Sequence, residues 1–176
     1  MPVDREPLLL LVNRLSTPIG ELLIVSDRDQ NLRAVDWADC EERMRRLLRI
    51  HSRGNEFNLV LTHSQSSAAE AIARYFRGDL SSIDVPPTKT EGTAFQQDVW
   101  RVLRTIPCGT SISYSELAAR VGRPRASRAV GLANGSNPIS IVVPCHRVIG
   151  SDGSLTGYAG GTKRKLWLLR HETQNR

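Results

Sequence analysis

The chain has 176 residues and a mass of 19.6 kDa, the size of one ordinary domain or two small ones. Its 40% hydrophobic and 24% charged residues describe a globular chain, and its longest unbroken apolar run, residues 8–12, is far too short to span a bilayer. The net charge of +6 is unevenly spread: residues 1–88 hold 11 Arg/Lys against 13 Asp/Glu, net −2, whereas residues 89–176 hold 13 against 5, net +8. That asymmetry points the second half toward a polyanion, nucleic acid first, with a merely soluble basic surface as the alternative.

In chain order, MPVDREP shows neither a basic leader nor a small-residue cleavage site, so no signal peptide is expected. Residues 8–12 and 22–25 read as strands about the turn Thr17-Pro18-Ile19-Gly20. Residues 32–37 alternate as a third strand, with Leu32, Ala34 and Asp36 on one face and Arg33, Val35 and Trp37 on the other. After Asp39, the spacing of Met44, Leu47 and Leu48 predicts a helix with its acids early and its arginines late, the order the helix dipole favours. A second helix is expected over residues 66–77, burying Ala69, Ile72, Ala73 and Phe76 and ending at Gly78. His51 and His63 read as surface residues. Cys40 reads as an incidental thiol. Residues 81–93, SSIDVPPTKTEGT, form the clearest linker and coincide with the change in charge. The expected division is therefore 1–88, an α/β domain with a small antiparallel-rich sheet plus linker, and 89–176, a mostly α-helical domain.

The second half opens with a helix over residues 94–104, capped by Thr93, with Phe95, Val99, Val102 and Leu103 as its core stripe. Ser113, with Glu116 three residues on, has capping-box spacing for a short helix over 113–120. Gly122-Arg123-Pro124 breaks it, and another short helix follows over 126–133. Two short helices about a Gly/Pro turn, with arginines at 123, 125 and 128, read either as a DNA-binding helix-turn-helix or as an ordinary packed corner. The second helix, ASRAVGLANG, is nearly all small residues around one arginine. Such a face suits close approach to a narrow minor groove, or close helix packing.

The chemistry centres on ISIVVPCHRVI, residues 139–149. Cys145 closes an apolar run beside an imidazole and a guanidinium. Its thiol reads as a small buried hydrophobe or as a nucleophile whose thiolate fraction those neighbours raise. Adjacent residues on a strand point opposite ways, so Cys145 and His146 meet directly only across a turn, or through a water. Cys108, after Pro107, reads as a structural thiol, Arg147 as a salt-bridge brace, and His171 as a surface residue. Cys40, Cys108 and Cys145 make no disulfide framework, and Cys40, His51 and His63 no adequate four-ligand set. A reduced, cytoplasmic protein without metal or other cofactor is expected.

Pro144-Cys145-His146-Arg147-Val148 is the signature by which the chain resembles the O6-alkylguanine-DNA alkyltransferases, direct-reversal DNA repair proteins. Phe95 to Trp100, Ser113-Tyr114, Arg128-Ala129-Val130-Gly131, Asn134 to Pro138, Thr156 to Gly161 and KLWLLRHE (165–172) match in order, so the resemblance is dense from Thr93 to Glu172. It implies irreversible transfer of an alkyl group from O6-alkylguanine, secondarily O4-alkylthymine, in duplex DNA to Cys145, once per molecule. It also implies a minor-groove helix-turn-helix and a base flipped from the stack. Arg128 would fill the vacated stack, with Ala126, Ala129, Gly131 and Ser113 against the DNA. His146 would take the thiol proton through a water, Glu172 would hold its tautomer, Tyr114 would donate to guanine N3, and Asn137 would brace the turns. The backbone of Val148 and the loop with Tyr158, Ala159 and Gly160 would line the base pocket. Ala159 stands where animal members carry serine, which implies a roomier pocket. No dimer signature is present, favouring a monomer. Two competing readings differ in chemistry: a lesion-flagging relative, which carries tryptophan in place of the cysteine, and a cysteine hydrolase or redox thiol protein.

Overall fold

Turn chemistry at Thr17 sets the first hairpin. Its Oγ1 accepts from the Ile19 N–H at 3.2 Å and donates to the Gly20 carbonyl at 2.5 Å, the side-chain trick by which Thr stands in for a backbone turn bond. The computed structural model describes residues 6–176, so most of the leader reading on MPVDREP lies outside the described residues. Strand β1 (Leu8–Thr17) pairs antiparallel with β2 (Gly20–Ser26), and β2 with β3 (Leu32–Trp37). Strand β4 (Phe57–Leu61), which the sequence reading missed, joins parallel to β1 and completes the order β3-β2-β1-β4. Phe57 and Leu59 pack on the second core cluster while Asn58, Val60 and Leu61 are exposed, and it is the exposed apolar pair Val60 and Leu61 that hides the alternation in the sequence.

The faces of β3 differ from strict alternation. Ser26 pairs with Leu32 and Val25 with Ala34, which leaves Arg33 as an extra residue in a β-bulge. Leu32 therefore joins Val35 and Trp37 in one core cluster, while Ala34 faces the other. Helix α1 (Glu41–His51) covers that second face with Met44 and Leu48 against Leu10, Val12, Leu23 and Val25. Helix α2 (Ser67–Phe76) is capped by Ser66 Oγ, which accepts from the Ala69 N–H at 3.1 Å. It buries Ala68, Ala69, Ala71, Ile72 and Tyr75, whereas Ala73 and Phe76 are only half-buried. The expected face was turned because it placed Tyr75, with its polar tip, outside.

Residues 81–93 hold no long regular element, but they are not a free tether. The Leu32 N–H donates to Pro87 O at 2.8 Å and the Lys89 N–H to Leu32 O at 2.9 Å, so the segment covers the outer edge of β3. Thr93 and Gln96 then form a full capping box on α3 (Ala94–Leu103), which buries Val99, Trp100 and Leu103 and leaves Phe95 and Val102 half-buried. Strand β5 (Ile112–Ser113) leads into α4 (Tyr114–Arg120), and residues 121–126 turn the chain into α5 (Ser127–Gly135). Strand β6 (Val148–Ile149) pairs parallel with β5, and α6 (Thr162–Gln174) ends the fold. Among the described residues the molecule is thus mixed α/β, with a four-stranded mostly antiparallel sheet and six α-helices. One core cluster takes Leu22, Ile24 and Trp37 from the sheet together with Ile139, Val148 and Leu168, so the two halves share apolar packing. No helix of the described residues is long and apolar enough to cross a membrane.

Candidate active site

Residues 137–144 are not a strand; they fold into an irregular buried turn docked on β3. The Val35 N–H donates to Pro138 O and the Ser140 N–H to Val35 O, each at 2.9 Å. Asn137 satisfies the interior of the turn: its Nδ2 donates to Ile139 O at 3.2 Å and Val143 O at 2.8 Å, and its Oδ1 accepts from the Ile139 N–H at 2.9 Å. Ile141 sits at φ +72°, a left-handed conformation that a β-branched residue adopts only when its surroundings over-determine it. From the other side Arg43 of α1 donates to Gly135 O at 2.7 Å and Asn137 O at 3.1 Å while paired with buried Asp36 at 2.6 Å. Asn137→Ala strands the Ile139 N–H in the interior and leaves the Val143 carbonyl with the Cys145 N–H as its remaining donor. The expected loss is about 3 kcal/mol of stability, read from urea unfolding against wild type.

Pro144 ends this turn and a single 3-10 turn, Cys145–Arg147, presents three side chains in succession. Cys145 is buried, and burial pushes its thiol up despite an Asn137 hydrogen bond and the positive charges of Arg43 and Lys165. The expectation that adjacent cations raise the thiolate fraction is therefore corrected: the resting group is a thiol that needs a base. The neighbours are committed elsewhere. His146 Nε2 lies 2.7 Å from Glu172 Oε1, and Arg147 donates through Nε to Oε2 and through Nη2 to Oε1, both at 2.9 Å. Tyr75 Oη donates to Oε1 at 2.9 Å and the Gly109 N–H to Oε2 at 3.1 Å.

Five donor contacts to one fully buried carboxylate fix its charge state. Burial alone would raise Glu172, but His146 and Arg147 hold it well below the usual carboxylate range. An ionised carboxylate only accepts, so His146 must carry its proton on Nε2. Its Nδ1 is then the bare, basic nitrogen, and it has no hydrogen-bond partner among the described residues. Burial lowers the imidazole against the opposing pull of Glu172, so it is neutral at pH 7 and able to accept a proton. Arg147 also donates to Ile106 O at 2.5 Å and reaches Cys108 Sγ at 2.7 Å, which ties the Cys108 turn into the same cluster.

Tyr114, first residue of α4, donates to Thr156 O at 3.2 Å and lies over Gly131 of α5. A Cβ on Gly157, already at φ +74°, would stand 2.8 Å from Tyr114 Oη, so the loop approaches only because that residue is glycine. Gly160 is pressed as closely against Tyr158 and Trp37. Tyr158 Oη and Trp37 Nε1 are buried without hydrogen-bond partners among the described residues, while Ala159 is exposed. Lys165 went unremarked as a site residue in the sequence reading. It is fully buried, and its Nζ donates to Val148 O at 2.5 Å and Thr156 O at 2.9 Å, stapling the loop to β6. Asn134, likewise missed as a site residue, donates to Cys145 O at 3.4 Å.

The fold thus gathers Cys145, His146, Glu172, Asn137 and Val148, with Tyr114 and Tyr158 beside them. Arg128 and Ala129 are exposed on α5, Ala126 and Gly131 half-buried, and Ser113 caps α4 by accepting from the Glu116 N–H at 3.1 Å. A sequence model of the 6-O-methylguanine DNA methyltransferase DNA-binding domain matches residues 94–174. The methylated-DNA–protein-cysteine methyltransferase of Shigella flexneri is 53% identical over 163 residues, 93% of this chain and 95% of that one. The chain belongs to the methylated-DNA–protein-cysteine methyltransferase family. The crystal structure of Mycobacterium tuberculosis OGT in complex with DNA superposes with a TM-score of 0.79 at 38% identity, covering 94% of each chain. The O6-methylguanine-DNA methyltransferase of Pyrococcus kodakaraensis KOD1 gives 0.69 at 26% identity over 93% of this chain and 98% of that one.

Two histidines read as surface residues are buried in this methyltransferase-family fold. His51 meets the Trp100 ring edge-on at 5.3 Å, and His171 stacks on Trp167 at 4.7 Å with its Nε2 2.7 Å from Tyr75 O. Trp100 and the Tyr75 carbonyl come from distant segments, which no local pattern announces, whereas Trp167 lies one turn before His171 on α6.

Proposed function

We infer that this chain repairs DNA by direct reversal, moving an alkyl group from O6 of guanine, and secondarily from O4 of thymine, to Cys145. One observation carries the assignment of roles: His146 has its Nε2 locked on Glu172 and its Nδ1 without a hydrogen-bond partner among the described residues, and it directly follows buried Cys145 in one 3-10 turn. A water passes the thiol proton to Nδ1, and the thiolate attacks the alkyl carbon. The S–C bond forms as the C–O bond breaks, and the departing guanine takes a proton at N3 from Tyr114, leaving as the neutral base. A thioether has no thiolate to reform, so each molecule acts once.

The chain divides into domains 1–88 and 89–176, and α4, its turn and α5 act as a helix-turn-helix in the minor groove. The small residues Ala126, Ala129 and Gly131 permit close approach, and exposed Arg128 enters the stack behind the flipped base. Ser113 fixes the first turn of α4. The backbone of Val148 and the loop with Tyr158, Ala159 and Gly160 hold the base. The missing hydroxyl at Ala159 suits alkyl groups larger than methyl. The protein works as a monomer in the cytoplasm.

The test is a peptide mass map after mixing the protein with a duplex carrying one O6-methylguanine. One methyl per chain on the Cys145 peptide, with guanine restored, supports the reading. Unmodified protein with tight lesion binding replaces it with lesion flagging, and unmodified protein without DNA binding with a thiol hydrolase. Arg128→Ala is expected to slow repair of duplex about 100-fold while transfer from free O6-benzylguanine changes less than about three-fold, because only the duplex must open. Equal losses on both substrates refute the role of Arg128.

A further inference from the structure

The first half of the chain reaches the proton relay at one point. Tyr75, from α2, donates its hydroxyl at 2.9 Å to Glu172 Oε1, the same oxygen that His146 Nε2 contacts at 2.7 Å. All three side chains are fully buried. We propose that Tyr75 is a positioning residue of the alkyl transfer: through the shared Oε1 it fixes the rotation of the Glu172 carboxylate and limits how strongly that carboxylate makes His146 a base. The inference rests on the reading of His146 as the proton acceptor for Cys145.

The hydroxyl is built to remain a donor. Burial first, and the Glu172 charge beside it, push the Tyr75 phenol well above its ordinary range, so it never ionises near neutrality. Its ring is held edge-on by Phe76 at 5.4 Å and by His171 at 5.1 Å, and its own carbonyl receives His171 Nε2, which fixes both ends of the residue. A donor on Oε1 withdraws charge that would otherwise favour the imidazolium, so its removal raises the basicity of His146. Other groups face the cluster. They are Arg147 and Cys145 from the 3-10 turn, Lys165 and His171 from α6, Gly109 N–H and Cys108 from the segment after α3, and Asp84, which acts on Cys108. A Tyr75 variant leaves the covalent structure of all of them unchanged.

Transfer requires neutral His146, so the acid limb of the rate profile follows the His146 titration. Tyr75→Phe keeps the ring and deletes the donor. Its acid limb is expected to move up by about half a unit, so that on the limb itself the rate relative to that at pH 8 falls by up to roughly three-fold below the wild-type value. Replacement of Tyr75 by 3,5-difluorotyrosine, a stronger donor of the same shape, is expected to move the limb the opposite way. It also carries the test if Tyr75→Phe fails to fold. The His146 imidazole titration, followed by NMR in the same chains, reads the shift without any transfer. An unshifted titration in a folded Tyr75→Phe chain, or shifts of one sign in both variants, overturns the proposal. A wild-type chain that leaves O6-methylguanine duplex unreacted at every pH overturns the underlying reading instead, and the NMR titration distinguishes the two failures.

Discussion

Cys145→Ser is expected to bind O6-methylguanine duplex and to remove no methyl from it. A serine hydroxyl is a far weaker acid than a thiol, and the base available to it is a neutral imidazole whose burial lowers its basicity. The cysteine thiol is itself pushed up by burial, so even the native acceptor depends on a base. Loss of at least about four orders of magnitude in transfer rate follows. Binding should survive within about three-fold, because the exposed face of α5 with Arg128 and Ala129 does not include position 145. Gel shift and a mass map on one preparation check both halves. Loss of binding together with transfer would mean that the Cys145 turn itself touches DNA, and residual methyl transfer would move the acceptor elsewhere.

What could be read from the sequence divides by the range of the interaction. The caps at Thr93 and Ser113 rest on partners three residues away and were legible, as were the apolar runs of β1 and β2. The face of Leu32 was not, because one extra residue, Arg33, reverses the alternation and only the pairing with β2 reveals it. Tyr75 and Glu172 stand 97 positions apart, and Arg43 and Asn137 stand 94 apart. No periodicity encodes such pairs. The cluster Cys145-His146-Arg147 was visible as chemistry, and Arg147 as a salt-bridge brace is borne out by its bonds to Glu172; what adjacency suggested wrongly was that the imidazole and guanidinium raise the thiolate fraction, since burial pushes the thiol up. Lys165 shows the same limit, since a lysine within a cationic helix reads as surface until the fold places its amine on two carbonyls.

Glu172→Gln should be both the least stable variant of the site and a poor methyltransferase. The carboxylate receives two bonds from Arg147 and one each from His146, Tyr75 and Gly109; an amide offers one acceptor oxygen and turns a second set of N–H groups toward buried donors. Removing one partner of a buried ion pair leaves Arg147 uncompensated, and the expected loss at pH 7 is about 3–5 kcal/mol by urea unfolding. His146 also loses the group that fixes its tautomer, so transfer should fall about 100-fold in whatever protein remains folded. The pH dependence separates the contributions. Glu172 is depressed on folding, so its contribution is complete above its unfolded value of 4.5 and is lost as pH falls below that. His146 is depressed from 6.5, so its contribution is complete above 6.5 and declines below it. Wild type should therefore lose stability in two stages on acidification, whereas Glu172→Gln keeps only the first. The stability gap between them should narrow below about pH 4.5. A gap that stays constant from pH 7 to pH 3.5 would mean that the carboxylate is not ionised in the folded chain, and the tautomer assigned to His146 would fall with it.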